Sequence, residues 1–259
     1  MLLAQLDDYL DAAPARGCDV ERIGPYRLYF RRDSDMPEIS YARPVRGQRE
    51  GTLDEIVAVR AAFVARRRRP RWEYLEELNP ELAAQLIAAG FPAPTPRPLQ
   101  VVTAESFRPE TSALAEIRPI TLEEAAPTDA MLAAAFGGNP ADADGSFLRG
   151  LLESGTCAIA AFVDGKPVAA GLHSPVGVTT EVAGVATAPE WQRKGLGGAV
   201  TSALVADAFA RGCTCIFLSA ADESVARVYG RLGFVRVGTA LDTMDREKQK
   251  NSSDPPVTE

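Results

Sequence analysis

The stretch that most restricts the fold of this chain lies between residues 181 and 212. Glu181-Val-Ala-Gly-Val-Ala-Thr-Ala188 reads as a strand, and Pro189-Glu-Trp-Gln-Arg-Lys-Gly-Leu-Gly-Gly198 as a turn running into a helix. That helix carries Leu196, Val200, Ala203, Leu204 and Ala208 on one side at helical spacing and stops at Gly212. An apolar run, Cys213 to Ala220, follows it, as expected of a strand buried on both faces. Glycines at a strand-to-helix junction let the backbone turn tightly and approach a ligand with no Cβ in the way. The free N–H groups of the first helical turn then converge on one spot, which the helix dipole makes favourable for an anion. Arg193 and Lys194 add two positive charges beside it.

The neighbouring segments extend this into a sheet. Gly155 to Val163 reads as a strand, Asp164-Gly165 as a two-residue hairpin turn and Lys166 to Leu172 as the return strand. Asp222 caps a second helix that turns Val225, Val228, Tyr229 and Leu232 inward and ends at Gly233; a last strand begins at Phe234. The fold class is therefore α+β, with a mixed α/β sheet.

Residues 51 to 91 look like a worn copy of residues 195 to 234. Gly51 is followed by a helix (Leu53 to Arg66), a strand (Trp72 to Leu75) and a helix (Pro80 to Ala89) that ends in Gly90-Phe91. Counted from glycine to phenylalanine, the two spans are 41 and 40 residues long. Two tandem lobes are expected, the first degenerate: a lobe over 1–103, a linker over 104–115, a second domain over 116–246 and a disordered polar tail over 247–259. The Pro-rich segment Phe91 to Pro98 reads as a loop that feeds a short strand, Leu99 to Thr103.

Composition narrows the function. A net charge of -7 and a pI of about 5.0 argue against a nucleic-acid binder. No stretch approaches the roughly 20 apolar residues that span a bilayer, and the N-terminus lacks the pattern of a secretion signal. A cytoplasmic location, with neither nucleic-acid nor membrane partners, is expected. The four cysteines have no metal-ligand spacing, and His173 is the only histidine. A multi-histidine zinc site and a Ser-His-Asp triad are both disfavoured, so no metal is expected. The glycines at 195–198 suit a pyrophosphate cradle, but they match neither the triphosphate loop Gly-x4-Gly-Lys-Ser/Thr nor the dinucleotide pattern Gly-x-Gly-x-x-Gly. A purely structural turn is the bland alternative.

The segment Glu181 to Gly198 resembles the acetyl-CoA-binding motif of the GCN5-related N-acetyltransferase (GNAT) family, whose Gln/Arg-x-x-Gly-x-Gly/Ala element is matched by Gln192, Gly195 and Gly197. Tyr229-Gly-Arg-Leu-Gly-Phe234 is similar to the family's closing segment. The resemblance covers about 130 residues and implies a set of roles. Backbone groups of Val185, Ala186 and Thr187 would pair with the pantetheine arm as an added strand would. The pyrophosphate would sit on the N–H groups of Arg193, Lys194, Gly195, Leu196, Gly197 and Gly198. Tyr229 would protonate the departing thiolate, and Glu181 would act as the base toward the attacking amine. Asp222 stands where the family often has Asn, which puts one CoA contact in question.

Acetyl-CoA is then the acyl-donor cosubstrate, a small-molecule primary amine the acceptor, and direct transfer in a ternary complex the mechanism; a homodimer is compatible with this. The rival from another class is a module that senses acyl-CoA without turnover. In the first lobe Gly51 stands at the cradle position and Leu86 where Tyr229 falls, so that lobe is expected to be silent and to wall the acceptor cleft. The arginine run 66–71 reads as a solvated helix end, with a contact to the CoA 3'-phosphate or to an anionic partner as its alternative. His173 reads as a partly exposed side chain or as a lining residue of the acceptor side.

Overall fold

A computed structural model of the chain describes residues 1–32 and 39–245, so the tail expected from residue 247 lies outside the described residues. The first half contains α1 (Leu2–Ala15), β1 (Cys18–Ile23), β2 (Tyr26–Arg31), β3 (Tyr41–Pro44), α2 (Leu53–Ala65), β4 (Arg71–Leu75), α3 (Leu82–Ala88) and β5 (Thr95–Val102). The second contains β6 (Glu116–Pro119), α4 (Ala125–Ala135), α5 (Ser146–Glu153), β7 (Cys157–Val163), β8 (Lys166–His173), β9 (Thr179–Thr187), α6 (Leu196–Ala210), β10 (Cys215–Ser219), α7 (Glu223–Arg231) and β11 (Val235–Met244). The strands form one mixed sheet in the order β1-β2-β3-β4-β11-β5-β10-β9-β8-β7-β6.

The halves repeat each other. In the first, β1, β2 and β3 are antiparallel, and α2 crosses over to β4, which runs parallel to β3. In the second, β7, β8 and β9 are antiparallel, and α6 crosses over to β10, parallel to β9. The helices that follow end alike. Gly90 and Gly233 take φ of +84° and +94°, and the next residue's N–H returns to the helix: Phe91 to the Leu86 carbonyl (3.0 Å) and Phe234 to the Tyr229 carbonyl (3.2 Å). Leu86 is thus the structural counterpart of Tyr229.

The repeat closes with an exchange. The last strand of the first half, β5, lies against β10, and the last strand of the second half, β11, lies against β4; β5 and β11 pair with each other between them. The β5 strand also begins earlier than the prolines suggested, at Thr95. A strand residue's N–H and C=O point to the same side, and the Pro98 carbonyl accepts from Ala220 N–H on the β10 side. Pro96 and Pro98 alternate, so both missing donors face that side, where β10 pairs only from Leu99 onward. The bonds to β11 are untouched.

Residues 104–115, expected as a linker, form a strap along α6. Phe107 packs on Phe209 (ring centroids 5.8 Å), Arg108 N–H donates to the Leu232 carbonyl (2.9 Å) and Glu110 N–H to Ser202 Oγ (2.9 Å). One apolar cluster joins α6, α7 and the sheet through Val200, Leu204, Ile216 and Leu232, and another joins α2 and α3 to β2 and β4 through Phe63, Trp72 and Leu86. A third tucks α1 under the sheet centre, where Leu6 and Tyr9 meet Leu75, Leu99 and Phe217. This third cluster carries first-half residues onto the strands that bear the site.

Candidate active site

The β9 and β10 strands are paired only from Cys215↔Thr179 to Phe217↔Glu181. Beyond Phe217, β10 keeps β5 as its partner, while β9 continues to Thr187 on β8 alone. The two strands therefore part after Glu181 and leave one edge of β9 open. A bulge sharpens the divergence: between Ala170↔Ala186 and Leu172↔Ala183 the β9 side has one residue more, and Gly184 takes φ +61°. Gly171 faces this bulge, and a Cβ there would come within 2.8 Å of Val185 Cγ2.

The three backbone positions expected at this edge are not equivalent. Ala188 N–H donates to Val168 on β8 (2.9 Å). Strand alternation then turns the groups of Thr187 and Val185 to the open side and those of Ala186 back toward β8. The Thr187 carbonyl, on the open side, accepts from the Gln192 side-chain amide (3.3 Å). Gln192 thus braces the turn.

The turn enters α6 through two left-handed residues, Arg193 (φ 61°) and Gly195 (φ +81°), with Gly195 as N-cap. No side chain caps the helix. The first intrahelical bond, from Ala199 N–H to the Gly195 carbonyl, leaves the N–H groups of Leu196, Gly197 and Gly198 ahead of it. A Cβ on Gly195 would meet nothing within 4 Å, and one on Gly197 only Thr187 Oγ1 at 3.6 Å. The space in front of these two glycines is open, so the turn fits a diphosphate. At Gly198 a Cβ would lie 2.5 Å from Glu110 Oε2, so the end of that strap side chain would have to shift. Lys194 Nζ lies over the Trp191 ring (4.3 Å), with Arg193 exposed beside it.

Glu181 is the last β9 residue paired with β10, and its side chain faces a cavity of about 200 Å³ between the halves. From the first half come Tyr9, Leu10, Ala13, Pro14 and Tyr41; from the second, residues such as Leu151, Leu172 and Ala183. Burial, reinforced by the neighbouring Glu73 carboxylate and only partly offset by Arg43, raises the Glu181 carboxyl to about 8. Arg43 is fully buried and already engaged by Asp7 (2.5 Å) on α1. Tyr229 is half-buried on α7 against Phe234 (5.9 Å between rings), and burial holds its phenol above the usual value. Asp222 caps α7 through the N–H groups of Ser224 (2.7 Å) and Val225 (3.0 Å), so its carboxylate is committed to the helix end.

His173 is neither partly exposed nor free. It is 1% exposed, and its Nε2 lies 2.8 Å from Asp207 Oδ2. Burial keeps the ring neutral, and an ionised carboxylate only accepts, so Nε2 carries the proton and Nδ1 accepts from Thr180 Oγ1 (3.3 Å). Cys157, the cross-strand partner of His173, joins the same carboxylate, which Arg211 also holds. The ligand atoms of Cys157, His173 and Asp207 lie within 4.8 Å of one another, a grouping invisible in the sequence because three elements supply it. Arg66 and Arg69 of the arginine run are engaged inside the first half and at its junction with β11, with Glu21 and the Asp245 carbonyl.

The cradle position of the first half is closed by its own side chains. The N-cap of α2 is Thr52, one residue past the glycine; it accepts from Glu55 N–H, and the Glu55 carboxylate takes Thr52 N–H (2.8 Å) and the Arg49 guanidinium. Glu55 thus holds the helix N-terminus. Gly51 is required because Tyr26 Oη would lie 2.0 Å from a Cβ there.

Comparison with known proteins agrees with this architecture. Residues 124–234 match the model of the acetyltransferase (GNAT) family. A GCN5-related N-acetyltransferase from Kribbella flavida is similar over 95% of this chain and 96% of its own, at 27% identity and a TM-score of 0.75. Two more distant structures share the fold. A tandem GNAT protein from the clavulanic acid biosynthesis pathway has 15% identity, 86% and 78% coverage and a TM-score of 0.60. A GCN5-related N-acetyltransferase from Sphaerobacter thermophilus has 14% identity, 85% and 76% coverage and a TM-score of 0.60. No protein of curated function matches the sequence. Among the described residues no helix is long and apolar enough to cross a membrane. The second half of the chain thus matches the GNAT acetyltransferase family over residues 124–234, and members of that family use acyl-CoA as cosubstrate.

Proposed function

We propose that the protein transfers an acetyl group from acetyl-CoA to the primary amine of a small molecule, directly within a ternary complex. One observation carries this reading. A carboxyl raised to about 8 stands where two strands part, between an open backbone edge and a cavity walled by the other half of the chain. A carboxyl that titrates near neutrality has an ionised form basic enough to take the proton from an alkylammonium.

The cosubstrate supplies the activated acyl thioester. The N–H groups of Leu196, Gly197 and Gly198, with Arg193 and Lys194, bind its diphosphate at the positive end of α6. The outward groups of Val185 and Thr187 hold its arm along β9. Glu181 takes the proton from the ammonium at a carboxylate oxygen. Tyr229, kept protonated by burial, gives its Oη proton to the sulfur as the thiolate forms. The first half holds no cosubstrate and serves as a wall of the acceptor cavity.

The test is release of the CoA thiol in the presence of primary amines at several pH values, together with the intact mass of the protein after incubation with acetyl-CoA alone. Direct transfer gives amine-dependent release and an unmodified protein. Binding of acetyl-CoA without amine-dependent release by any amine would make the protein a sensor, and an acetylated chain that passes its acetyl group on to the amine would rule out the ternary route.

A further inference from the structure

The cavity beside Glu181 has a lining more selective than an amine acceptor as such requires. Its walls are Leu10, Ala13 and Pro14 on one side and Leu151, Leu172 and Ala183 on the other, with the rings of Tyr9 and Tyr41. Among the described residues no lysine or arginine lines it, and Glu181 is the one carboxylate. Apart from the Tyr41 hydroxyl, the other polar side chains of the lining are already engaged. Tyr9 Oη donates to the Ser174 carbonyl (2.8 Å), Thr156 and Ser174 share a hydroxyl bond (2.7 Å), and both His173 nitrogens are engaged outside the cavity. The Glu181 carboxylate has no hydrogen-bond partner among the described residues.

Resting on the acetyltransfer reading above, we propose that the acceptor is a compact primary monoamine with an uncharged, apolar body and no carboxylate: an arylalkyl- or short alkylamine. The single carboxylate takes the single ammonium. A second ammonium would be buried against Leu10, Pro14 or Leu172, and a carboxylate would find no cation; either leaves a charge desolvated and unpaired. Size agrees: the lined space of about 200 Å³, open to solvent on one side, seats a single ring with a short arm against these walls. Because Tyr9, Leu10, Ala13, Pro14 and Tyr41 belong to the first half, the half without a cradle selects the acceptor.

The experiment compares kcat/KM for 2-phenylethylamine with phenylalanine, which adds a carboxylate, with 4-(aminomethyl)phenethylamine, which adds an ammonium, and with spermidine and kanamycin. The monoamine should lead each charged analogue by about a hundredfold or more. Ala13→Glu, and as a second variant Leu151→Glu, should narrow the gap between the diamine and the monoamine at least tenfold. Their stabilisation by acetyl-CoA should be unchanged, which shows that the site is intact. Equal or better turnover of the amino acid, the polyamine or the aminoglycoside overturns the proposal while leaving acetyltransfer standing. If no amine of any class is turned over although acetyl-CoA binds, acetyltransfer fails and this inference with it. A diamine that gains nothing in either folded variant removes the assignment of the cavity as the acceptor site.

Discussion

Replacing Glu181 with Gln separates its chemistry from its shape. A carboxyl that titrates at about 8 is ionised in roughly one molecule in ten at pH 7 and nine in ten at pH 9. Turnover limited by this base should rise about tenfold between those pH values. Glu181→Gln should lose the rise along with roughly 10²–10⁴-fold in rate. Stability gives an independent reading of the same group. Its pKa is raised above the unfolded value of 4.5, so the native state binds more protons than the unfolded chain between pH 4.5 and 8. The stability contributed by the protonated form is present at low pH and is lost as pH rises through about 8. At 1.36 kcal/mol per unit the full shift would amount to about 5 kcal/mol. Half of that, about 2 kcal/mol, is appropriate for a side chain that keeps part of its surface in water. Urea unfolding at pH 5 and pH 9 should therefore show Glu181→Gln gaining about 2 kcal/mol on the wild type across that interval. The rate assay uses saturating acetyl-CoA and amine from pH 6 to 9.5. A wild-type rate flat from pH 7 to 9, or a rise that survives unchanged in the Gln variant and so belongs to the amine, would refute the assignment.

Gly197→Val should fold, because a side chain there meets only Thr187 Oγ1, yet it should fill the open cradle; the thermal stabilisation by acetyl-CoA seen for the wild type should disappear. Tyr229→Phe keeps the packing on Phe234 and removes the proton donor, so turnover should fall roughly 10²–10⁴-fold with the CoA affinity nearly unchanged, in single-turnover and calorimetric measurements. Calorimetry of the full chain should count one acetyl-CoA per molecule, because Thr52 and Glu55 already occupy the helix end in the first half; a second stoichiometric site would refute this. A chain beginning at Ser112 should fail to fold, since it lacks β5, on which both β10 and β11 pair; a soluble and active fragment would show that the exchange of strands is dispensable.

The cradle was legible because its chemistry is local. The glycines at 195 and 197 and the cap at Asp222 act within a few residues of themselves, and such signals survive in one dimension. The matching Gly-Phe ends of α3 and α7 disclosed the repeat for the same reason. Less legible were the first-half elements α1 to β3, whose apolar pattern is weak until the sheet supplies their partners. The direction in which each backbone group of β9 points was also hidden. It follows from the bond that Ala188 makes to β8, so only Val185 and Thr187 of the expected three turn outward.

The order of residues along the chain thus carried the family, the repeat and the glycine turn, which are properties of short spans. Which half owns which strand could be decided only in three dimensions. β5 and β11 are both adequate edge partners for either half, and their exchange follows from pairing across more than a hundred residues. The same is true of the site's chemistry. The glutamate at 181 is one of 35 acidic residues until α1 brings Tyr9 and β4 brings Glu73 to its side of the sheet. Desolvation by distant segments, not the residue's own neighbours in sequence, makes its carboxyl a base near neutral pH.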